Sequence, residues 1–243
     1  MTRSTPNPPN LTGHVALVPG GTGAVGEGVV RRLLAAGADV VVPTRSPARE
    51  SEFRQVLGSA AGGRLHLFID DYTDFDGARA LVAATVDLRG SLDHVVAPIG
   101  GWWAGKRLDQ IDTADWESAF VGLATSHMAM LRAALPVMSE RGSYAVIVGD
   151  SAEYPVPGSG LVSMEQAAVL MMQRVAAAEQ GRRVFALQLG PVRTRVVEAE
   201  PGWISAEEVG TVAVALAANA SVSGRTIPLH GTDEMVSALE ALA

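Results

Sequence analysis

Apolar residues in this chain come in short, almost unbroken runs separated by longer stretches of helical period. The runs are HVALV from His14, DVVV from Asp39, LHLFI from Leu65, LDHVVA from Leu92, YAVIV from Tyr144 and RVFALQL from Arg183. Runs of this length without a polar face are what parallel strands covered on both sides require. Between the first two, VGEGVVRRLLAAG places Val25, Val29 and Leu33 on one helical face, and Gly37 supplies a stop. A long periodic stretch over 113–138 follows, with Thr113 and Glu117 suited to an N-terminal cap region. A second, over about 161–180, carries Met164, Ala167, Ala168, Met171, Val175 and Ala178 on one stripe, which is expected to face mainly the core. A last helix near 206–219 and a strand near 226–229 close the pattern, which predicts an α/β fold with a doubly wound, mostly parallel sheet of about seven strands.

Composition narrows the classes. The chain has 243 residues, 48% hydrophobic and 19% charged, which suits one large α/β domain over 13–243 preceded by a flexible arm over 1–12. That arm has three prolines and two asparagines in its first ten residues, too little apolar surface to offset the entropy of ordering. It lacks the apolar stretch of a secretory signal, and no run reaches the roughly 18 apolar residues of a membrane span, so a soluble, cytoplasmic protein is expected. A net charge of -7 with scattered arginines argues against a nucleic-acid surface. Without cysteine there is no disulfide, thiol nucleophile or thiolate metal site, and no other spacing resembles a metal site.

The segment VPGGTGAVGEG lies where the first strand passes into the first helix. Gly20, Gly23 and Gly26 there can serve a tight turn, backbone approach to a pyrophosphate and close helix packing, while the helix N-terminus offers N–H groups to phosphate. The candidate contacts are Gly20, Thr22, Gly23, Ala24, Val25 and Gly26. A turn that is glycine-rich only for geometry is the competing reading. The second strand ends in VVPTRS instead of the acidic residue that holds the 2′-hydroxyl of NAD. Arg45 suits a 2′-phosphate, pointing to NADP(H) over NAD(H), unless it simply faces solvent.

From 14 to about 231 the order of features resembles the short-chain dehydrogenase/reductase family, a Rossmann-type fold. The glycine loop, the turn IDDYTD, a Trp116-led helix ending ALPVM, the QAAV opening the next helix, GPVRT and SGRTIPLHG fall in the family's order. The resemblance implies that Asp71 and Tyr72 lie beside the adenine, that Gly100, Gln166, Val192 and Thr194 meet the cofactor, and that two long helices form a homodimer or homotetramer interface. It fails where the chemistry should be. The loop glycines read GxxGxxG, with Ala24 at the family's middle glycine and Pro19, which has no N–H, at a usual Thr. After the fourth strand, Asn-Asn-Ala-Gly is replaced by Ala97, Pro98, Ile99 and Gly100, and Leu123 stands at the position of a catalytic Asn. The Tyr-x-x-x-Lys motif aligns with Val162 and Gln166; Lys106 is the only lysine, and none of Tyr72, Tyr144 and Tyr154 precedes it by four residues.

In the family the Tyr gives a proton to the carbonyl oxygen as hydride arrives, and the Lys lowers its pKa. Ser151, at the end of the fifth strand, and Tyr154 are the best local substitutes, although a Tyr without a neighbouring cation keeps a pKa near 10. Trp102 and Trp103 suit either an apolar wall for a flat substrate or ordinary packing. His127 suits a satisfied helical position better than a catalytic one. Three functions stay open: an NADP(H)-binding oxidoreductase on a small carbonyl or alcohol through a non-standard site; an inactive homologue serving as sensor, scaffold or partner subunit; and a non-redox enzyme using Asp150, Tyr154 or His127.

Overall fold

The computed structural model describes residues 9–198 and 200–242. The strands are β1 (Val15–Leu17), β2 (Asp39–Thr44), β3 (Leu65–Ile69), β4 (His94–Ala97), β5 (Ser143–Gly149), β6 (Val184–Leu189), β7 (Val192–Arg193), β8 (Ile204–Ser205) and β9 (Thr226–Leu229). Seven of them form one all-parallel sheet in the order β3-β2-β1-β4-β5-β6-β9, while β7 and β8 pair separately. The doubly wound fold read from the apolar runs is thus the fold observed. Leu17 pairs with Val41 on one side and Val95 on the other, so the winding reverses between β1 and β4. A crevice opens at the carboxyl ends of strands where such a reversal occurs.

The helices are α1 (Ala24–Ala35), α2 (Pro47–Leu57), α3 (Phe75–Arg89), α4 (Thr113–Trp116), α5 (Gly122–Ala134), α6 (Gly160–Gln180), α7 (Ala206–Ala218) and α8 (Thr232–Leu242). One core packs α1, α2, α7 and α8 on the sheet through residues such as Val29, Phe53, Val212 and Met235. The other packs α3, α5 and α6 through Leu81, Met130 and Leu170. Among the described residues no helix is long and apolar enough to cross a membrane.

Several expectations change. Most of the arm expected over 1–12 lies outside the described residues, but Leu11 is 0% exposed and its N–H donates to Ala36, so the packed body begins before residue 13. The stretch over 113–138 is capped by Asp112, which accepts from the Asp115 N–H, and not by Thr113. It is also interrupted by a π turn at Glu117–Val121, where the Gly122 N–H reaches the Glu117 carbonyl. The α6 stripe faces outward: Met171 is 54% exposed, and Met164, Ala167, Ala168, Val175 and Ala178 are exposed with it. Its inner face is instead Leu161, Val162, Glu165, Val169, Leu170, Gln173 and Ala176.

Arg183 fastens the amino end of the sheet to the end of α7. Its guanidinium donates to the carbonyls of Arg141 (2.7 Å), Gly142 (3.2 Å), Leu216 (2.5 Å), Asn219 (2.8 Å) and Val222 (3.0 Å). Five backbone carbonyls thereby share one buried cation as donor. Higher up, α1 crosses α7 so closely that a Cβ at Gly28 would collide with the Ala206 backbone. Gly28→Ala therefore overpacks a backbone contact that no rotamer change can relieve, and urea unfolding should show a loss of roughly 1–3 kcal/mol.

Candidate active site

The turn after β1 sets the geometry of the crevice. Gly20 has φ +84°, and a Cβ there would run into the Pro98 carbonyl from the loop after β4, so the two loops touch backbone to backbone. Gly23 is the N-cap of α1 (φ -74°, ψ 168°) and makes no side-chain cap hydrogen bond, which leaves the first N–H groups of the helix open at its positive end. Gly26 lets α1 sit directly on the turn, since a Cβ there would strike Gly20 and Gly21. The one carboxylate of this first turn, Glu27, is held by Arg31 at 2.9 Å and Arg195 at 3.2 Å. Its charge is thus compensated beside the open N–H groups.

One cleft gathers many of the expected residues. Gly20, Thr22 and Gly23 form one wall, Arg45 and Tyr72 another, and Gly100 with Ile99 and Leu123 the far end. Arg49 lines the same cleft and was not anticipated. Ser46 caps α2 by accepting from the Arg49 N–H at 3.3 Å, and the resulting first turn brings Arg49 round beside Arg45. The R-S-P-A-R spacing across a Ser-Pro helix start was the available signal. Burial raises the Tyr72 hydroxyl above its ordinary value, opposed by Arg45 and the Gly20 N–H.

Asp71 behaves differently. Its carboxylate accepts from the Thr73 hydroxyl (2.6 Å) and N–H (3.1 Å), which hold it below the usual carboxylate range. It shapes the turn and does not line the cleft with Tyr72. Ala24 and Thr194 line an adjoining hollow between α1 and the start of α7, together with Arg193 and Arg195. Val25 is half-buried against the core beneath, and Val192 lies in the β7 pair.

At the carboxyl end of β5 the structure brings Ser151 and Gln166 together. The Gln166 Oε1 accepts from the Gly149 N–H at 2.6 Å and from the Ser151 hydroxyl at 3.0 Å. Val162, which the family resemblance aligns with its Tyr, is buried. Tyr154 is 61% exposed and has no hydrogen bond to Ser151, so the expected substitute pair is not assembled; only its backbone N–H is fixed, by the Asp150 carbonyl at 3.0 Å. Lys106 is engaged elsewhere. It is tied to Asp112 at 2.9 Å and to Asp115, which also accepts from the Trp103 indole N–H at 3.2 Å. Trp102, by contrast, projects into solvent.

His127 is buried, and its Nε2 donates to the Ile99 carbonyl at 2.9 Å, fastening α5 beneath the cleft floor. Its Nδ1 has no partner, and the buried Glu165 Oε1, also without a hydrogen-bond partner, lies 3.9 Å from Nε2. Burial pushes the Glu165 carboxyl up to about 7 and the His127 imidazole down to about 4. Among the described residues no group of His, Asp and Glu could hold a metal ion.

Comparison with known proteins gives this geometry a context. A family model described as Enoyl-(Acyl carrier protein) reductase matches residues 21–208. The chain is 30% identical over 186 residues to cis-1,2-dihydrobenzene-1,2-diol dehydrogenase of Pseudomonas putida, a match covering 74% of this chain and 66% of that protein, just under two thirds of its length. It is 26% identical over 250 residues to the rhamnolipids biosynthesis 3-oxoacyl-[acyl-carrier-protein] reductase of Pseudomonas aeruginosa, covering 91% and 96% of the two chains. Among solved structures, a short-chain type dehydrogenase/reductase from Mycobacterium ulcerans superposes with a TM-score of 0.82 at 27% identity, covering 93% of this chain and 91% of that one.

The buried carboxyl beneath the cleft has a measurable signature. Because the folded-state value of Glu165 lies above its ordinary 4.5, its stabilising contribution is full below about pH 4.5 and is lost as pH rises through about 7. Glu165→Gln should leave stability nearly unchanged at pH 4.5 and raise it at pH 8 by on the order of 2–3 kcal/mol, read by urea unfolding at the two pH values.

Proposed function

The chain belongs to the short-chain dehydrogenase/reductase family, and from that premise we propose that it is an NADP(H)-binding oxidoreductase acting on a small alcohol or carbonyl compound through a rearranged site. The observation that carries this reading is the glycine turn: Gly20 pressed on Pro98, and an N-cap at Gly23 that leaves the first turn of α1 free for an anion. The residues present fit a nicotinamide dinucleotide. A side chain at Gly20 would collide with the Pro98 carbonyl, and no side chain caps the helix that would face the pyrophosphate.

In this reading Gly20, Thr22, Gly23, Ala24, Val25 and Gly26 hold the pyrophosphate. Arg45, joined by Arg49, holds the 2′-phosphate, since no carboxylate ends β2 to repel it. Tyr72 and Gly100 flank the adenosine, with Asp71 acting through the turn it closes. Gln166, Val192 and Thr194 serve the nicotinamide end. When bound, such a cofactor supplies hydride exchange with a substrate carbon. Ser151 is the chain's group for the substrate oxygen; Val162 can neither give nor take a proton. Loss of a positioned general acid typically costs about 10² to 10⁴ in rate, so turnover is expected to be slow. The names of several relatives, which are diol dehydrogenases and an oxoacyl reductase, support the alcohol and carbonyl class. The outward apolar stripe of α6 supports assembly as a homodimer or homotetramer through α5 and α6.

Titration of NADPH fluorescence tests the reading directly: saturable binding is expected, and no binding of either NADPH or NADH at millimolar concentration overturns it. Arg45→Ala should weaken NADPH about tenfold or more while leaving NADH unchanged, the worth of a charge-assisted hydrogen bond to phosphate. For the assembly, Met171→Glu should shift the sedimentation coefficient toward the monomer.

A further inference from the structure

The hydrogen bonds at the end of β5 have a polarity that their own chemistry determines. A backbone N–H can only donate, so the Gln166 amide atom 2.6 Å from the Gly149 nitrogen must be the carbonyl oxygen Oε1. This removes the usual ambiguity in placing an amide's oxygen and nitrogen. Ser151 Oγ lies 3.0 Å from that same oxygen. A carbonyl oxygen can only accept, and a hydroxyl has one proton, so the Ser151 proton is committed to Gln166. What Ser151 has left are its lone pairs. The seat is close-fitting as well: a Cβ at residue 149 would lie 2.8 Å from Oε1, so Gly149 is what allows the amide to lie against the strand end.

We propose that Gln166 is a positioning residue that turns Ser151 into a hydrogen-bond acceptor toward its ligand, so that the site selects a hydroxyl-bearing compound over the matching ketone. An alcohol O–H can donate to the lone pairs of Ser151. A ketone oxygen meets the same lone pairs and finds no donor on Ser151 unless its proton leaves Gln166. Val162 has no polar atom, Lys106 is held by Asp112 and Asp115, and the Tyr154 hydroxyl makes no bond to Ser151, which leaves the Gln166 Nε2 amide as the competing donor that Gln166→Glu removes. The inference rests on the reading above for the end of β5 as the substrate side, but the direction of the hydrogen bonds does not depend on a nucleotide.

The test uses cyclohexanol and cyclohexanone, matched in size, titrated by ligand-observed NMR against the protein without added nucleotide. The wild type should bind the alcohol about fivefold tighter, a ratio that corresponds to about 1 kcal/mol, the net worth of one hydrogen bond. Ser151→Ala should abolish the preference, Gln166→Glu, which still accepts from both donors, should keep it, and Gln166→Met should lose it by releasing the Ser151 proton. The infrared carbonyl stretch of bound cyclohexanone should shift to lower frequency in Gln166→Met and not in the wild type, a change that a purely structural role would not produce. Should Gln166→Met fail to fold, Ser151→Ala and Gln166→Glu decide between the outcomes. Equal or reversed preference in the wild type, a preference that survives Ser151→Ala, or no binding of either compound overturns the proposal. NADPH binding by the same sample reports on the cofactor separately.

Discussion

The contact between the turn after β1 and the loop after β4 is the constraint on which the site depends. The winding reverses at these two strands, so their loops would diverge and leave an open furrow. The Gly20 backbone on the Pro98 carbonyl closes the bottom of that furrow. From there α1 can begin at Gly23, α2 can bring two guanidinium groups to one side, and α5 can support the other through the bond from His127 to Ile99. A substituent at residue 20 would therefore disturb three helices.

The two ends of the crevice are built on different physical principles. At the β2 end charge dominates, with Arg45 and Arg49 facing solvent and strengthened by the absence of a carboxylate at the strand end. At the β5 end an amide and a hydroxyl are hydrogen-bonded to each other, and Val162 is buried. In the proposed reading, recognition there relies on oriented dipoles whose direction follows from one backbone N–H. Lone pairs turned toward a ligand give selectivity among neutral ligands but cannot donate to a developing oxyanion. The proposed function therefore couples retained recognition with slow chemistry.

Much of the fold was legible because parallel strands are apolar on both faces and need no tertiary information to be seen. LHLFI coincides with β3, and the glycine turn falls between β1 and α1. The α6 face was misread for a definite reason. Its buried side carries Glu165 and Gln173, which lower its apparent hydrophobicity, while its exposed side carries Met and Ala that read as core. The π turn escaped because one extra residue barely alters an apolar period, and α8 because Met235 and Leu242 are its only buried residues. At the site, Gly20, Thr22, Gly23 and Arg45 were placed by the glycine turn and the strand end, and Tyr72 by the family resemblance; all five line the cleft. The second arginine depends on the helix start at Ser46, and the Ser151–Gln166 bond links residues fifteen positions apart on different elements. Pairing of that kind follows from side-chain placement and not from periodicity.

The clamp around the chain's single lysine also bears on how the molecule can be handled. Asp112 and Asp115 hold the Lys106 ammonium protonated and raise its pKa above the ordinary value. An amine-directed reagent thus has one side-chain address in the whole sequence, and a sluggish one. Once acylated, the nitrogen would lose its charge, and two carboxylates would be left without their cation next to the Trp103 indole. A fluorophore attached there would sit on the segment between β4 and α4, at a position that its own attachment had stripped of its ion pairs.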